Sequence, residues 1–455
     1  HAADNSSDAK SAMVAELTGH SGRVVGVAVL SDGRLLSWGA DRTLRLWAAD
    51  GTVLAVLKGH TRSILGGKEL GDGRLLSWSE DSTLRLWGSE GTALAVLEGH
   101  AFGVRGAMAL RDGRLLSWGA GRLRLWSSDG EALAELKGHS GDVRGATALS
   151  DGRLLSWSND GTLRLWSSDG TPLVELERHR QEIGGATALS DGRLLSWSGD
   201  GTLRLWASDG AELAELRGHE LPVSGAIALG DGRLLSWSAD HTLRLWSSDG
   251  VALAELKGHG GWLVGAMELR DGRLLSWSFD HTLRLWSSDG GALAELKGHG
   301  RFVVGAVPLH DGRLVSWSAD GSLRLWAANG MPLAELKGHG ERVAGVTLLS
   351  DGRVVSWSDD GTLRLWTLDG IGEAIDQSTE YEAYSPSGEQ PVEEVISKKE
   401  ATADSRQEEE PVRKTAIQGK LPAQEKSKAY VVVEISVTKG EDTGGIVEKT
   451  IRTIK

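Results

Sequence analysis

Nine histidines recur at a near-constant interval along this chain: His20, His60, His100, His139, His179, His219, His259, His299 and His339. Imidazole is the commonest metal-binding side chain, so a fold that pooled the nine could hold metal. Each, however, comes once per repeat with the same neighbours, and the expectation is that each is satisfied inside its own unit. Asp-Gly pairs recur as often and carry carboxylates, but the alternating acidic ligands of a calcium loop are absent, so plain hairpin turns are expected. Two further histidines, His241 and His281, take one turn position in neighbouring repeats and read as drift within the array. Catalysis needs dissimilar groups converging on one point. Copies of a single unit supply no such convergence, and the chain reads as non-enzymatic, with no metal and no cofactor.

The elements that position these residues follow from the tryptophans. The string Leu-Arg-Leu-Trp ends at Trp47, Trp87, Trp126, Trp166, Trp206, Trp246, Trp286, Trp326 and Trp366, and a second Trp precedes each, from Trp38 to Trp357. The step is 40 residues, with one step of 39 where the third unit has lost a residue. A unit such as residues 133–170 contains four short runs, LAELK, VRGATAL, RLLSWS and TLRLW, separated by Gly- and Asp-rich turns. Asp-Gly between apolar runs signals a hairpin, because glycine accepts the positive φ that tight turns need. Leu163 and Leu165 alternate with Arg164 and Trp166, the period of two expected of a packed sheet. Four strands per repeat of this length is the pattern of a β-propeller blade.

On these residues the chain resembles the WD-repeat family, in its bacterial form with near-identical repeats. The resemblance implies a buried hydrogen-bonded tetrad in each blade, which in blade four would be His139, Ser156, Asp160 and Trp166. Four departures stand out. The Asp expected after the signature Trp is replaced, as at Ala48 and Ser127. The residues equivalent to Trp38 stand where the family has a small one. Blade three runs Gly119-Ala120-Gly121-Arg122 without the tetrad Asp, and blade five has Arg178 where others have Gly before the His. Those two blades are expected to be the least regular.

The first strand, Met13 to Leu17, has no blade of its own, and the ninth repeat lacks a fourth strand. Pairing the two closes the ring and removes an orphan edge. The expected fold is therefore all-β: a nine-bladed β-propeller of four-stranded blades closed by the N-terminal strand, plus an extended C-terminal tail with a β-hairpin. The expected organisation is an N-terminal arm at 1–12, the propeller at 13–370, a polar linker at 371–428 and an assembly segment at 429–455.

Repeats differ mainly after Gly-His and in the turn between the second and third strands, loops that open on one face in the family. There blades six to eight carry Leu221, Trp262, Phe279 and Phe302. Clustered apolar residues on an exposed face mark a docking patch, and these four are the candidate protein-binding residues.

Beyond the repeats, four prolines and the run Glu408-Glu409-Glu410 give residues 371–428 a disordered-linker composition. Residues 429–437 are rich in β-branched side chains, and 446–454 alternate charged and apolar ones after a Gly-rich turn. Tyr430, Val431, Val433, Ile435, Val437, Ile446 and Ile451 would form the apolar positions of a hairpin, which is marginal alone and needs a sheet to join. Strand addition to a neighbouring copy would supply it and, if unclosed, build a filament.

Composition limits the partners. The net charge of −13 lacks the footprint of a nucleic-acid binder, no apolar run spans a membrane, and zero Cys excludes disulfides and thiol catalysis. The chain begins at His1, which fits either a trimmed start or a removed signal peptide, and the irregular run that follows leans towards processing. The leading expectation is a self-assembling structural protein, extracellular or at the cell surface, with copies of itself as partner. The alternative is a cytoplasmic scaffold that binds another protein.

Overall fold

The computed structural model describes residues 12–369 and Ile371. The arm before residue 12 and, apart from Ile371, the linker and the hairpin segment lie outside the described residues. The described chain contains nine four-stranded antiparallel sheets and no helix.

Blade four illustrates the unit. Its strands run from the centre outwards as Val143–Ala148, Leu154–Ser158, Thr162–Trp166 and Pro172–Glu177. The sequence repeat is thus offset by one strand from the blade: the run before each His is the outer strand of the preceding blade. The first hairpin closes on Asp151-Gly152. Gly152 takes φ +88°, its N–H bonds to Leu149 O at 3.1 Å, and Asp151 accepts from the Arg153 amide at 3.0 Å. Only glycine adopts that backbone freely.

The offset accounts for closure. Met13–Leu17 pairs with Leu363–Trp366 as the outer strand of blade nine, whose other strands are Val343–Leu348 and Val354–Ser358. Glu16 binds Arg364 across this pair at 3.0 Å, and Thr367 donates to Ala12 O at 2.8 Å.

The core lies between blades. Leu155, Leu163, Leu165 and Leu176 of blade four pack on Ile183, Ala186, Leu194 and Trp206 of blade five. The same set recurs nine times. The ninth joins Leu17, Val355, Leu363 and Leu365 to Val24, Leu35 and Trp47 of blade one. An open row of nine blades would have one interface fewer, so the ring is closed. Each buried Leu contributes about 2 kcal/mol by area, which makes the interfaces the main source of stability.

The second-strand tryptophans are accommodated by an inner-strand glycine. Gly145 lies opposite Trp157 in register, and a Cβ there would fall 2.2 Å from Trp157 Cζ2. The same pairing repeats from Gly26 with Trp38 to Gly345 with Trp357. The large ring and the absent side chain are two halves of one packing solution.

Candidate protein-binding face

The His, Ser, Asp and Trp of each repeat meet inside their own blade. In blade four Trp166 Nε1 donates to Ser156 Oγ at 2.9 Å, Ser156 Oγ lies 2.8 Å from His139 Nε2, and His139 Nδ1 lies 3.0 Å from Asp160 Oδ2. Asp160 is acceptor-only when ionised, which assigns the proton to Nδ1 and makes Nε2 the acceptor. The carboxylate also accepts from the Ser140 amide at 2.8 Å and from Thr162 N and Oγ1 at 3.0 and 2.8 Å. Burial pushes the Asp160 carboxyl up, but the Thr162 hydroxyl and amide, then the His139 charge and the Ser140 amide, outweigh it and hold it at about 2. Burial pushes His139 down. These histidines are committed to their own hydrogen bonds. Among the described residues no three His, Asp or Glu side chains are grouped so as to hold a metal.

Blade three departs as expected. His100 bonds Ser117 at 2.7 Å and Trp126 reaches the same hydroxyl at 2.8 Å, but no carboxylate faces Nδ1. Gly119 pairs directly with Arg122 around a tightened turn. Burial, and then the Arg124 charge, push His100 down to about 4.

Blade five does not depart. His179 keeps Ser196 at 2.8 Å and Asp200 at 3.1 Å. In other blades the glycine before the His lies under a third-strand arginine, so that a Cβ on Gly218 would meet Arg244 Nη1 at 2.8 Å. Where Arg178 replaces that glycine, Arg204 pairs with both Glu212 and Glu215, and Arg178 itself lies 3.4 Å from Glu212. Other outer strands have no acid at the Glu212 position. A second substitution thus compensates the first.

The loop before each inner strand and the turn between second and third strands share one face, since Phe279 N donates to Trp262 O at 2.9 Å. Three of the four candidate residues meet there. Trp262 and Phe279 form an edge-on pair at 6.1 Å. Phe279 stacks on Phe302 of blade eight at 4.6 Å and 22°. Arg342 of blade nine extends the row, 6.0 Å from the Phe302 ring. Trp262 is 57% and Phe279 47% exposed. Leu221, 46% exposed, sits on the matching loop of blade six, outside the aromatic stack.

Two features of this face were missed in the sequence. Phe102, 68% exposed on blade three, takes the loop position of Leu221, and its signal was that the chain has only three Phe. Across blades three to five, the loop position of Trp262 and Phe302 holds acids that pair with an inner-strand arginine of the preceding blade: Arg105 with Asp142 at 2.7 Å and Arg144 with Glu182 at 2.8 Å. His241 and His281 both take φ +71° in the turn position that blades four, five, eight and nine give to glycine and blades one and two to Arg42 and Ser82.

Comparison with known proteins agrees with this architecture. The family model described as WD domain, G-beta repeat matches residues 11–48, 130–167 and 330–367. No curated protein sequence matches the chain. A crystal structure of the computationally designed Ika8 protein is similar at 24% identity, covering 78% of this chain and all of its own, with TM-score 0.57. A crystal structure of the WD40 β-propeller domain of Doa1 shares 21% identity over 79% of this chain and 97% of its own, with TM-score 0.46.

Proposed function

Because the chain is a WD-repeat β-propeller, we propose that it is a non-enzymatic scaffold that binds another protein through the aromatic row on blades seven to nine. The observation that carries the proposal is the stack in which Trp262 and Phe279, both exposed, pack with the half-buried Phe302 on one arc of the loop face. The open faces of Trp262 and Phe279 amount to roughly 200 Å², worth about 5 kcal/mol gross to a partner that covers them. The rings are held by each other and by Arg342, so little side-chain freedom is lost on binding. The test is affinity capture with the wild-type chain and with Trp262→Ala/Phe302→Ala, followed by titration of the captured partner. A central aromatic anchor predicts a loss of affinity of about thirtyfold or more. Unchanged affinity of a folded variant overturns the reading.

A second reading, self-assembly through the C-terminal segment, is favoured by the outer strands. Among the described residues they are unpaired on their outer side, and Leu54, Leu94, Leu133, Leu173, Leu213 and Leu253 stand exposed along them. Such edges accept an added strand. An extracellular filament belongs to this reading. Sedimentation of the full chain against one ending at Gly370 tests it: large particles that the truncation abolishes support it, and two monomers refute it.

A further inference from the structure

We propose that blade three carries a binding notch for an external carboxylate, seated between the His100 imidazole and the Ala101 amide where the other eight blades seat their own aspartate. The ring provides its own reference for what such a site needs. In every other blade the aspartate accepts from His Nδ1 and from the backbone N–H of the next residue, as at Gly300 and Gly340 with 2.7 and 2.9 Å. In blade three both donors are present and neither has an acceptor among the described residues. His100 is only 7% exposed, and Ser117 holds its Nε2, so the ring is fixed with Nδ1 turned to the notch, where its Nδ1–H tautomer would donate to an incoming carboxylate.

Nδ1 is not sealed from solvent and Ala101 is exposed, so a carboxylate entering here would exchange with water on both groups. The surroundings suit an anion. A Cβ on Gly119 would stand 3.5 Å from His100 Nδ1 and 2.7 Å from the Gly103 carbonyl oxygen, so that carbonyl forms one wall of the notch. Arg122 and Arg124 place positive charge near the ring, each also ion-paired with Glu135. Phe102, Gly103 and Ala120 flank the notch and also line an open depression of the loop face with Arg62, Arg105 and Asp142, so the approach is from solvent. The ligand class is a carboxylate, free or carried on an acidic side chain. The notch lies on blade three, apart from the aromatic row, and its failure would leave that proposal untouched.

The test follows the imidazole resonances of the full chain, with His100 assigned by loss of its signal in His100→Gln. Sodium acetate and, separately, the peptide N-acetyl-Gly-Asp-Gly-amide are added at matched ionic strength against chloride. The expected result is a saturable shift of His100, absent at His139, with the proton affinity of His100 rising about tenfold or more. A response to both probes identifies a site for free carboxylates, and a response to the peptide alone one for side-chain carboxylates. No response beyond that to chloride overturns the proposal. A second variant inserts Asp between Ala120 and Gly121 together with Arg122→Thr, rebuilding the turn of the other blades. It should lose the acetate response and melt higher; a retained response places the site elsewhere and also overturns it.

Discussion

Acid should weaken blade three before the other blades, because His100 lacks the carboxylate that its counterparts hold. Its ordinary pKa of 6.5 falls to about 4 in the folded chain, through burial first and the Arg124 charge second, with Glu135 pulling partly back and Arg122 adding to the fall. Between those values the unfolded chain binds more protons than the folded one, so stability rises with pH there and is lost as pH falls. Working the two pKa values through the linkage relation gives a loss of about 2 kcal/mol between pH 7 and pH 5. The assay is urea unfolding of the wild type and of His100→Gln at both pH values, with an imidazole titration of the native wild type alongside. The variant should lose about 2 kcal/mol less than the wild type over that interval. An imidazole that titrates at or above its ordinary value, or an unchanged pH dependence in the variant, would refute the reasoning.

Four further outcomes follow from the packing. Asp160→Ala strips the acceptor from His139, Ser140 and both Thr162 donors and should cost about 3 kcal/mol in urea unfolding; a cost near zero would show the tetrad to be ornamental. Gly225→Ala drives a Cβ to 2.2 Å from Trp237 Cζ2 and should cost about 3 kcal/mol by overpacking, whereas the second variant Gly225→Ala/Trp237→Ala should relieve the clash; thermal melts separate the two. Deleting residues 1–17 removes the outer strand of blade nine and the buried Leu17, so a lower melting temperature and association through the bared Leu363–Trp366 edge are expected by calorimetry and sedimentation. Glu212→Ala leaves Arg178 and Arg204 short of a partner, with an expected loss of about 1 kcal/mol that Arg178→Gly restores in a double-mutant cycle.

The blade count and the closure by Met13–Leu17 were legible because the repeat is explicit and the ends were each short by a complementary strand. The gap in blade three was legible for a similar reason: a missing residue in a repeat shows directly. The regularity of blade five was not, since Glu212 lies on another strand from Arg178 and only folding brings them together. The Gly–Trp packing was also overlooked, although each such glycine precedes its Trp by 12 residues in every repeat. Nothing in a strand pattern says which cross-strand neighbours touch until the register is known. On the loop face, aromatic identity marked Trp262, Phe279 and Phe302, but not that they stack across two blades or that Arg342 caps them. The tail lies outside the described residues.

A ring built from one repeated unit has a constraint that bears on where its function resides. The nine interfaces use the same Leu and Trp positions, and those positions hardly vary because a change of one methylene is felt in a close-packed interior. The loop before the inner strand and the turn beside it touch few of those side chains, so substitutions there cost little stability. That freedom alone would scatter substitutions evenly. Instead, inter-blade pairs gather by type, Arg105 with Asp142 and Arg144 with Glu182 on one arc and Phe279 with Phe302 on another, with Asp142, Glu182 and Phe302 at equivalent positions. Each pairing needs matched changes in two blades, as Arg178 with Glu212 does on the rim. A charged arc and an apolar arc on the same face give a partner one orientation rather than nine equivalent ones. On the proposed scaffold reading, it is this broken symmetry, rather than the propeller itself, that would turn a repeated structural unit into a specific binding surface.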